Sequence, residues 1–196
     1  MESPATTTFT HPPRRPSLPI RGIALLLCIS TLGLAGVANA ELSVGDAAPN
    51  FTLQASDGNE YTLTDFKGKQ AIVIAWFPRA FTSGCTVECK SLAANGDRIR
   101  AYDVTYFMAS TDPLEKNEAF AEETDADFPL LSDPSGDTAK AYGVYTGGFA
   151  KRHTFYIDID GVVTHIDRAV KPSTSAEDMV DNLERLGVDR VDSTAD

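Results

Sequence analysis

The feature that most constrains the fold is an unbroken run of apolar residues at positions 71–77, which Pro78 ends. Several of its side chains are β-branched, and no polar residue alternates with them. A strand that is apolar on both sides must be covered on both faces, which is typical of a central strand in an α/β sheet. Because proline has no backbone N–H to donate, the strand should end there. The chain is therefore predicted to form a layered α/β domain.

A predicted helix follows this strand, and Cys85 lies in its first turn. Thr82 and Ser83 precede it and are residue types that favour a helix N-cap. Apolar residues then follow at roughly helical spacing: Val87, Leu92 and Ile99. A thiolate at a helix N-terminus is stabilised by the unpaired backbone N–H groups, so Cys85 is a candidate nucleophile.

The rest of the pattern alternates strands with helices between two hairpins. The first hairpin is predicted at residues 51–63, and the second at residues 153–166, with turns around Gly58 and Gly161. The predicted elements between and after them are a strand at 105–109 and helices at 113–124, 137–142 and 174–186. This order indicates one mixed central sheet with helices on both faces and an added N-terminal hairpin.

Residues 1–40 have the three parts of a secretory signal peptide. A basic start that includes Arg14 and Arg15 leads into an apolar stretch at 23–37, and Ala38 and Ala40 frame a small-residue cleavage site. The apolar stretch is shorter than the roughly 20 residues that a membrane span needs. We expect an exported protein, in a bacterial periplasm, with a domain at 41–188 and a polar tail at 189–196. Export by the general or the twin-arginine route remains open.

The chain is acidic, with a net charge of −11, and loss of the leader would make it more acidic. This balance argues against nucleic-acid partners and against binding of the mature protein to an anionic membrane, since both depend on Lys and Arg.

Of the three cysteines, Cys28 lies in the leader, so the mature chain keeps Cys85 and Cys89. A disulfide-stabilised secreted scaffold would carry more cysteines at wider spacing. Two close cysteines indicate redox or metal chemistry instead.

Residues 78–85 fit the P-x-x-x-T-x-x-C motif and so resemble the peroxiredoxins. Glu88 follows the cysteine at the family's spacing, and Arg152 begins an R-x-T-F segment before a late strand. Order and spacing agree over roughly residues 43–187. The Gly84-Cys85-Thr86 sequence is similar to the bacterioferritin-comigratory, or Q-type, branch, although Ser83 replaces that branch's usual proline.

The resemblance implies a thioredoxin-like fold and a thiol-dependent peroxidase acting on hydrogen peroxide or organic hydroperoxides. It implies that Cys85 attacks the peroxide and becomes a sulfenic acid. Thr82 would bind the peroxide, Arg152 would hold the thiolate, and Pro78 would shield the site. Backbone N–H groups near Gly84 would bind the peroxide oxygens. Three aromatic side chains are expected to shape access: Phe81, Phe149 and Trp76.

No metal, flavin or haem cofactor is implied. The implied reductant is a thioredoxin-like protein or another thiol, and the expected state is a monomer or weak dimer.

Cys89 departs from the family pattern. Q-type enzymes with a resolving cysteine in this helix place it five residues after the first, where this chain has Lys90. In an intact helix, i and i+4 side chains have Cβ atoms about 5–6 Å apart, whereas a disulfide needs about 3.8 Å. Either the first turn unwinds so that Cys89 resolves Cys85, or an outside thiol does so.

Two other functions fit part of this pattern. A C-x-x-x-C pair after a central strand also resembles the copper-delivery proteins of the Sco type, with His153 as a third ligand; two thiolates and an imidazole suit copper. A thioredoxin-type disulfide exchanger would normally have C-x-x-C. Thr82 and Arg152 favour the peroxidase, because peroxide chemistry uses them and copper binding does not.

Overall fold

The structure is a computed structural model that describes residues 42–191, together with Thr8, Thr10 and His11. Residues 42–191 all belong to one compact unit. Apart from those three residues, the predicted leader at 1–40 lies outside the described residues. Within the described chain, none of the helices is long and apolar enough to cross a membrane.

A mixed seven-stranded sheet forms the centre of the domain. Its strands are β1 (Thr52–Ala55), β2 (Glu60–Thr62), β3 (Ala71–Trp76), β4 (Val104–Ser110), β5 (Leu130–Ser132), β8 (His153–Ile157) and β9 (Val163–Asp167). They lie in the order β2-β1-β5-β4-β3-β8-β9. The central pairs, β3 with β4 and β4 with β5, are parallel, and the outer pairs are antiparallel. A separate two-stranded ribbon is formed by β6 (Tyr145–Thr146) and β7 (Phe149–Ala150).

Helices cover both faces of this sheet. They are α1 (Ser83–Ala94), α2 (Gly96–Ile99), α3 (Leu114–Thr124), α4 (Asp137–Ala141) and α5 (Ser175–Arg185). Residues of α1, α2, α3 and α5 pack into one core and residues of α4 into the other. The predicted mixed sheet with helices on both faces is confirmed, as are both hairpins.

The unbroken apolar run is explained by β3, whose side chains enter two cores. Val73 and Ala75 lie in the core that holds Cys85, whereas Ile74 and Trp76 lie in the core on the other face. All six residues of β3 are buried. The expectation that Trp76 shapes access to Cys85 is therefore wrong, because alternation along the strand turns its ring to the opposite face.

The pairing of β3 with β8 positions the site. The two strands are antiparallel, and Trp76 at the end of β3 faces His153 at the start of β8. Arg152 therefore lies beside the end of β3, where the chain turns into α1. Residues far apart in the sequence meet at this edge of the sheet.

The sequence analysis did not predict the strand β5 or the β6–β7 ribbon. Their strands have three and two residues each, which is too short to show a periodic pattern.

The start of the predicted polar tail also belongs to the domain. The Asp103 N–H donates to the Asp189 carbonyl at 2.7 Å, and the Val191 N–H donates to the Ala101 carbonyl at 3.0 Å. The boundary predicted at residue 188 is thus too early, since the ordered domain reaches at least Val191; residues 192–196 lie outside the described residues.

Candidate active site

Cys85 is the third residue of α1 and is fully buried. The first helical hydrogen bond shown runs from the Thr86 N–H to the Thr82 carbonyl at 2.9 Å. The N–H groups of Ser83, Gly84 and Cys85 therefore precede the helical ladder and remain available to an anion or an electron-rich oxygen. The predicted position of Cys85 at a helix start after the central strand is confirmed.

Arg152 connects Cys85 to Glu88 through the two ends of its guanidinium. Its Nη2 donates to the Cys85 Sγ at 3.1 Å, and its Nη1 donates to the Glu88 Oε2 in a close ion pair. The Glu88 side chain is 1% exposed and the Arg152 side chain 18% exposed. One guanidinium group thus binds both a buried carboxylate and the sulfur. Because the guanidinium is planar and rigid, these two contacts fix its orientation.

Gly84 lies directly against this guanidinium. A Cβ built on Gly84 would lie 3.3 Å from the Arg152 Nη2 and 3.8 Å from the Pro172 Cγ. The first distance is tighter than ordinary van der Waals contact, so a side chain here would push the guanidinium away from the sulfur. Glycine therefore permits the close approach of Arg152.

Glu88 has a second oxygen, Oε1, that is buried and has no hydrogen-bond partner among the described residues. The carboxylate depends on Arg152 for the compensation of its charge, because burying an unpaired charge is costly. Glu88 and Arg152 therefore form one electrostatic unit beneath Cys85.

The loop between β3 and α1 is held by an aspartate from another strand end. The Ala80 N–H donates to the Asp112 Oδ2 at 2.7 Å, and Lys116 pairs with the other oxygen of this carboxylate at 2.6 Å. Asp112 is 8% exposed. The sequence analysis missed it, since an isolated aspartate after a strand gives no signal of a partner 32 residues away.

Thr82 stands at the N-cap position of α1, but its hydroxyl bonds elsewhere in the described structure. Its Oγ1 donates to the Arg79 carbonyl at 2.9 Å, and the capping bond that the sequence suggested is not formed. The hydroxyl proton is used in this bond, so the Thr82 oxygen can act only as an acceptor toward another group. Pro78 lies half-buried at the start of the same loop.

Phe81 has a left-handed backbone, with φ of 66°. A non-glycine residue in this region costs of order 1–3 kcal/mol, and it persists where the surroundings hold it. Its ring packs edge-on against Phe120 of α3 at 5.2 Å between centroids, while 44% of the residue stays exposed. Phe81 is thus a partly exposed aromatic residue of the loop that leads into α1.

Cys89 lies deeper in α1 and is fully buried. Its Sγ is 3.1 Å from the Thr124 Oγ1, whose proton is donated to the Phe120 carbonyl at 2.6 Å. The Cys89 S–H is therefore the donor in this contact. Burial raises the pKa of Cys89 to about 11. In this conformation Cys89 is a protonated thiol and a poor nucleophile, and both Cys85 and Cys89 are free.

Known proteins of one family match this chain. Residues 44–166 match the AhpC/TSA family model. Peroxiredoxin Bcp of Escherichia coli K12 is 37% identical over 133 residues, which span 64% of this chain and 85% of that protein. Alkyl hydroperoxide reductase E of Mycobacterium tuberculosis H37Rv is 33% identical over 126 residues, or 62% of this chain and 82% of that protein. The crystal structure of peroxidoxin BcpB from Mycobacterium tuberculosis has a TM-score of 0.68 and 28% identity, and the match covers 74% of this chain and 98% of that one.

The match spans most of the domain and includes the segment that carries Cys85, so the chain belongs to the AhpC/TSA family and is a peroxiredoxin with a thioredoxin-like fold. The similarity to Bcp proteins places it in the bacterioferritin-comigratory, or Q-type, branch of that family.

These findings do not support the copper-delivery alternative. Residues 42–191 contain no group of three or more His, Cys, Asp or Glu side chains arranged to hold a metal ion. Cys89 bonds to Thr124, and His153 belongs to β8 opposite Trp76. His165 is a strand residue of β9.

Proposed function

We propose that this peroxiredoxin is an exported thiol-dependent peroxidase that reduces hydrogen peroxide and organic hydroperoxides at Cys85. The observation that carries this assignment is the 3.1 Å contact between the Arg152 Nη2 and the Cys85 Sγ at the start of α1. A cation and a helix N-terminus converge there on one sulfur, and both stabilise a thiolate.

In the proposed reaction the Cys85 thiolate attacks one oxygen of the peroxide. An S–O bond forms, the O–O bond breaks, and the other oxygen leaves as water or an alcohol after taking up a proton. The sulfur loses two electrons to the peroxide and becomes a sulfenic acid. Arg152 and the N–H groups of Ser83, Gly84 and Cys85 are proposed to stabilise the negative charge that moves onto the leaving oxygen.

Thr82 is suited to orient the peroxide. Because its hydroxyl proton is donated to the Arg79 carbonyl, its oxygen can accept the O–H of the incoming peroxide. Pro78, which has no N–H and lies half-buried at the end of β3, is proposed to limit water beside the sulfur. Glu88 holds Arg152 in place and does not itself touch the peroxide.

The sulfenic acid must then be reduced by a thiol. Because Cys89 is a buried, protonated thiol in the same helix, we infer that an outside thiol, not Cys89, reduces the sulfenic acid of Cys85. A Cys85–Cys89 disulfide would need the first turn of α1 to unwind, which is less costly at a helix end than in its middle. A thioredoxin-like protein of the same compartment is the proposed reductant. Location in a periplasm rests on the leader pattern at residues 1–40.

The test is a peroxide-consumption assay with dithiothreitol on residues 41–196. The Cys85→Ser variant should lose turnover, and the Cys89→Ser variant should keep it. Intact mass after one equivalent of peroxide distinguishes the resolution routes, since a sulfenic acid adds one oxygen atom and a disulfide loses two hydrogen atoms. A wild-type protein that consumes no peroxide above the buffer rate would overturn the proposed function.

A further inference from the structure

The β6–β7 ribbon ends at Ala150, two residues before Arg152 in the chain. Its turn consists of Gly147 and Gly148, which have φ values of 57° and 91°. Such positive angles favour glycine, so the turn can be this tight. The Lys151 N–H donates to the Val144 carbonyl at 2.7 Å, which closes the base of the ribbon one residue before Arg152.

Two contacts fasten the ribbon to loops at the strand ends around Cys85. The Arg79 guanidinium lies over the Phe149 ring, with its carbon 5.4 Å from the ring centroid. The Thr111 hydroxyl donates to the Gly148 carbonyl at 3.1 Å. Arg79 follows the end of β3 and Thr111 the end of β4, so the ribbon is attached to the edge of the sheet where α1 begins.

Arg79 links the ribbon to Thr82. Its side chain contacts Phe149, and its carbonyl accepts the Thr82 hydroxyl bond at 2.9 Å. The Thr82 bond uses only the Arg79 backbone, so a change of the Arg79 side chain leaves that bond in place.

We propose that the Arg79–Phe149 contact is a specificity element that restricts bulky organic hydroperoxides at Cys85. Cys85 is fully buried and the Arg152 side chain is 18% exposed. The O–O group of a substrate must therefore reach inward, while any organic substituent stays toward the surface between the loop at residues 78–82 and the segment that leads to Arg152. Hydrogen peroxide has no substituent, so the contact affects only larger substrates.

The inference rests on the proposed peroxidase activity, and kcat/KM for two substrates tests it. In the Phe149→Ala variant and in the Arg79→Ala variant, kcat/KM for cumene hydroperoxide should rise about 10-fold relative to that for hydrogen peroxide. The value for hydrogen peroxide itself should change little. Arg79 is exposed, so its replacement keeps the fold even if the loss of the Phe149 ring does not.

The matched control is Lys140→Ala. It removes another cation–ring contact of the same ribbon, in which the Lys140 Nζ lies 5.1 Å from the Tyr145 centroid. In this variant, the ratio of kcat/KM for cumene hydroperoxide to kcat/KM for hydrogen peroxide should equal that of the wild type. The inference would be overturned if the ratio of the two kcat/KM values stayed unchanged in both Phe149→Ala and Arg79→Ala. An equal rise of that ratio in Lys140→Ala would also overturn it. A wild-type protein inactive toward hydrogen peroxide would instead contradict the peroxidase function.

Discussion

The Cys89 Sγ and the Thr124 Oγ1 lie 3.1 Å apart and join α1 to the last residue of α3. The second cysteine is thereby tied to the core as a hydrogen-bond donor. Unwinding of α1 toward a Cys85–Cys89 disulfide would have to break this bond as well as the helical ones.

Replacing Thr124 with Val should therefore loosen Cys89. The variant loses the acceptor of the Cys89 S–H and the bond to the Phe120 carbonyl, so its free energy of unfolding should fall by about 1–3 kcal/mol. In a Cys85→Ser background, Cys89 should react faster with a thiol-labelling reagent under native conditions. Thr164→Val is the control, since it removes a hydroxyl–carbonyl bond, to Tyr156 at 3.2 Å, in β9 of the sheet. Equal labelling rates for both variants would contradict this role of Thr124.

The raised pKa of Cys89 predicts a loss of stability at alkaline pH. The pKa is about 11 in the folded protein against an ordinary value of 9.0, so the folded state holds this proton more tightly than the unfolded state. The stabilisation is complete below pH 9 and is lost as the pH rises toward 11. Between these values the free energy of unfolding should fall by up to about 1.4 kcal/mol per pH unit.

Urea unfolding of the wild type and Cys89→Ala across this pH range isolates that contribution. Burial also raises the pKa of Tyr106, Tyr142 and Tyr156, but both proteins contain these residues, so the difference between the two curves reports Cys89. A pH-independent difference would show that Cys89 does not hold its proton in this way.

Gly84→Ala should reduce activity with little effect on stability. The added Cβ would lie 3.3 Å from the Arg152 Nη2 and displace it from the sulfur. A small misplacement of a positioning group can cost up to about 100-fold, and alanine favours the helix by up to about 1 kcal/mol. We expect kcat/KM for hydrogen peroxide to fall at least about 10-fold. Ser83→Ala, in the same turn but exposed, should retain activity; thermal unfolding checks that both variants are folded.

Glu88 and Arg152 should behave as a coupled pair. Removing one partner of a buried ion pair leaves an uncompensated charge and typically costs about 3–5 kcal/mol. Glu88→Gln and Arg152→Gln should each destabilise the protein, and the double variant should lose clearly less than the sum of the two. Chemical denaturation of all four proteins measures the coupling. Additive losses would mean that the two side chains do not depend on each other.

The local pattern of the sequence was sufficient to predict the strand and helix that position Cys85 and the two hairpins. The apolar run of β3, its end at Pro78 and the turn residues of both hairpins each express a preference of neighbouring residues, so they could be predicted without the fold. The resemblance to peroxiredoxins also pointed to Arg152, although charge and spacing alone would have favoured a surface cation beside Lys151.

Tertiary structure decided which groups meet. The bond between Arg152 and Cys85 joins residues 67 positions apart, and that between Cys89 and Thr124 joins residues 35 apart. Two further contacts depend on the register of strands from distant segments. They are the bond from the Ala80 N–H to Asp112 and the contact between Arg79 and Phe149. Sequence periodicity shows which side of a helix or strand is buried. Only the packed sheet determines which residues face that side, because hydrogen bonds and ring contacts depend on distances between segments that the conformational preferences of neighbouring residues do not set.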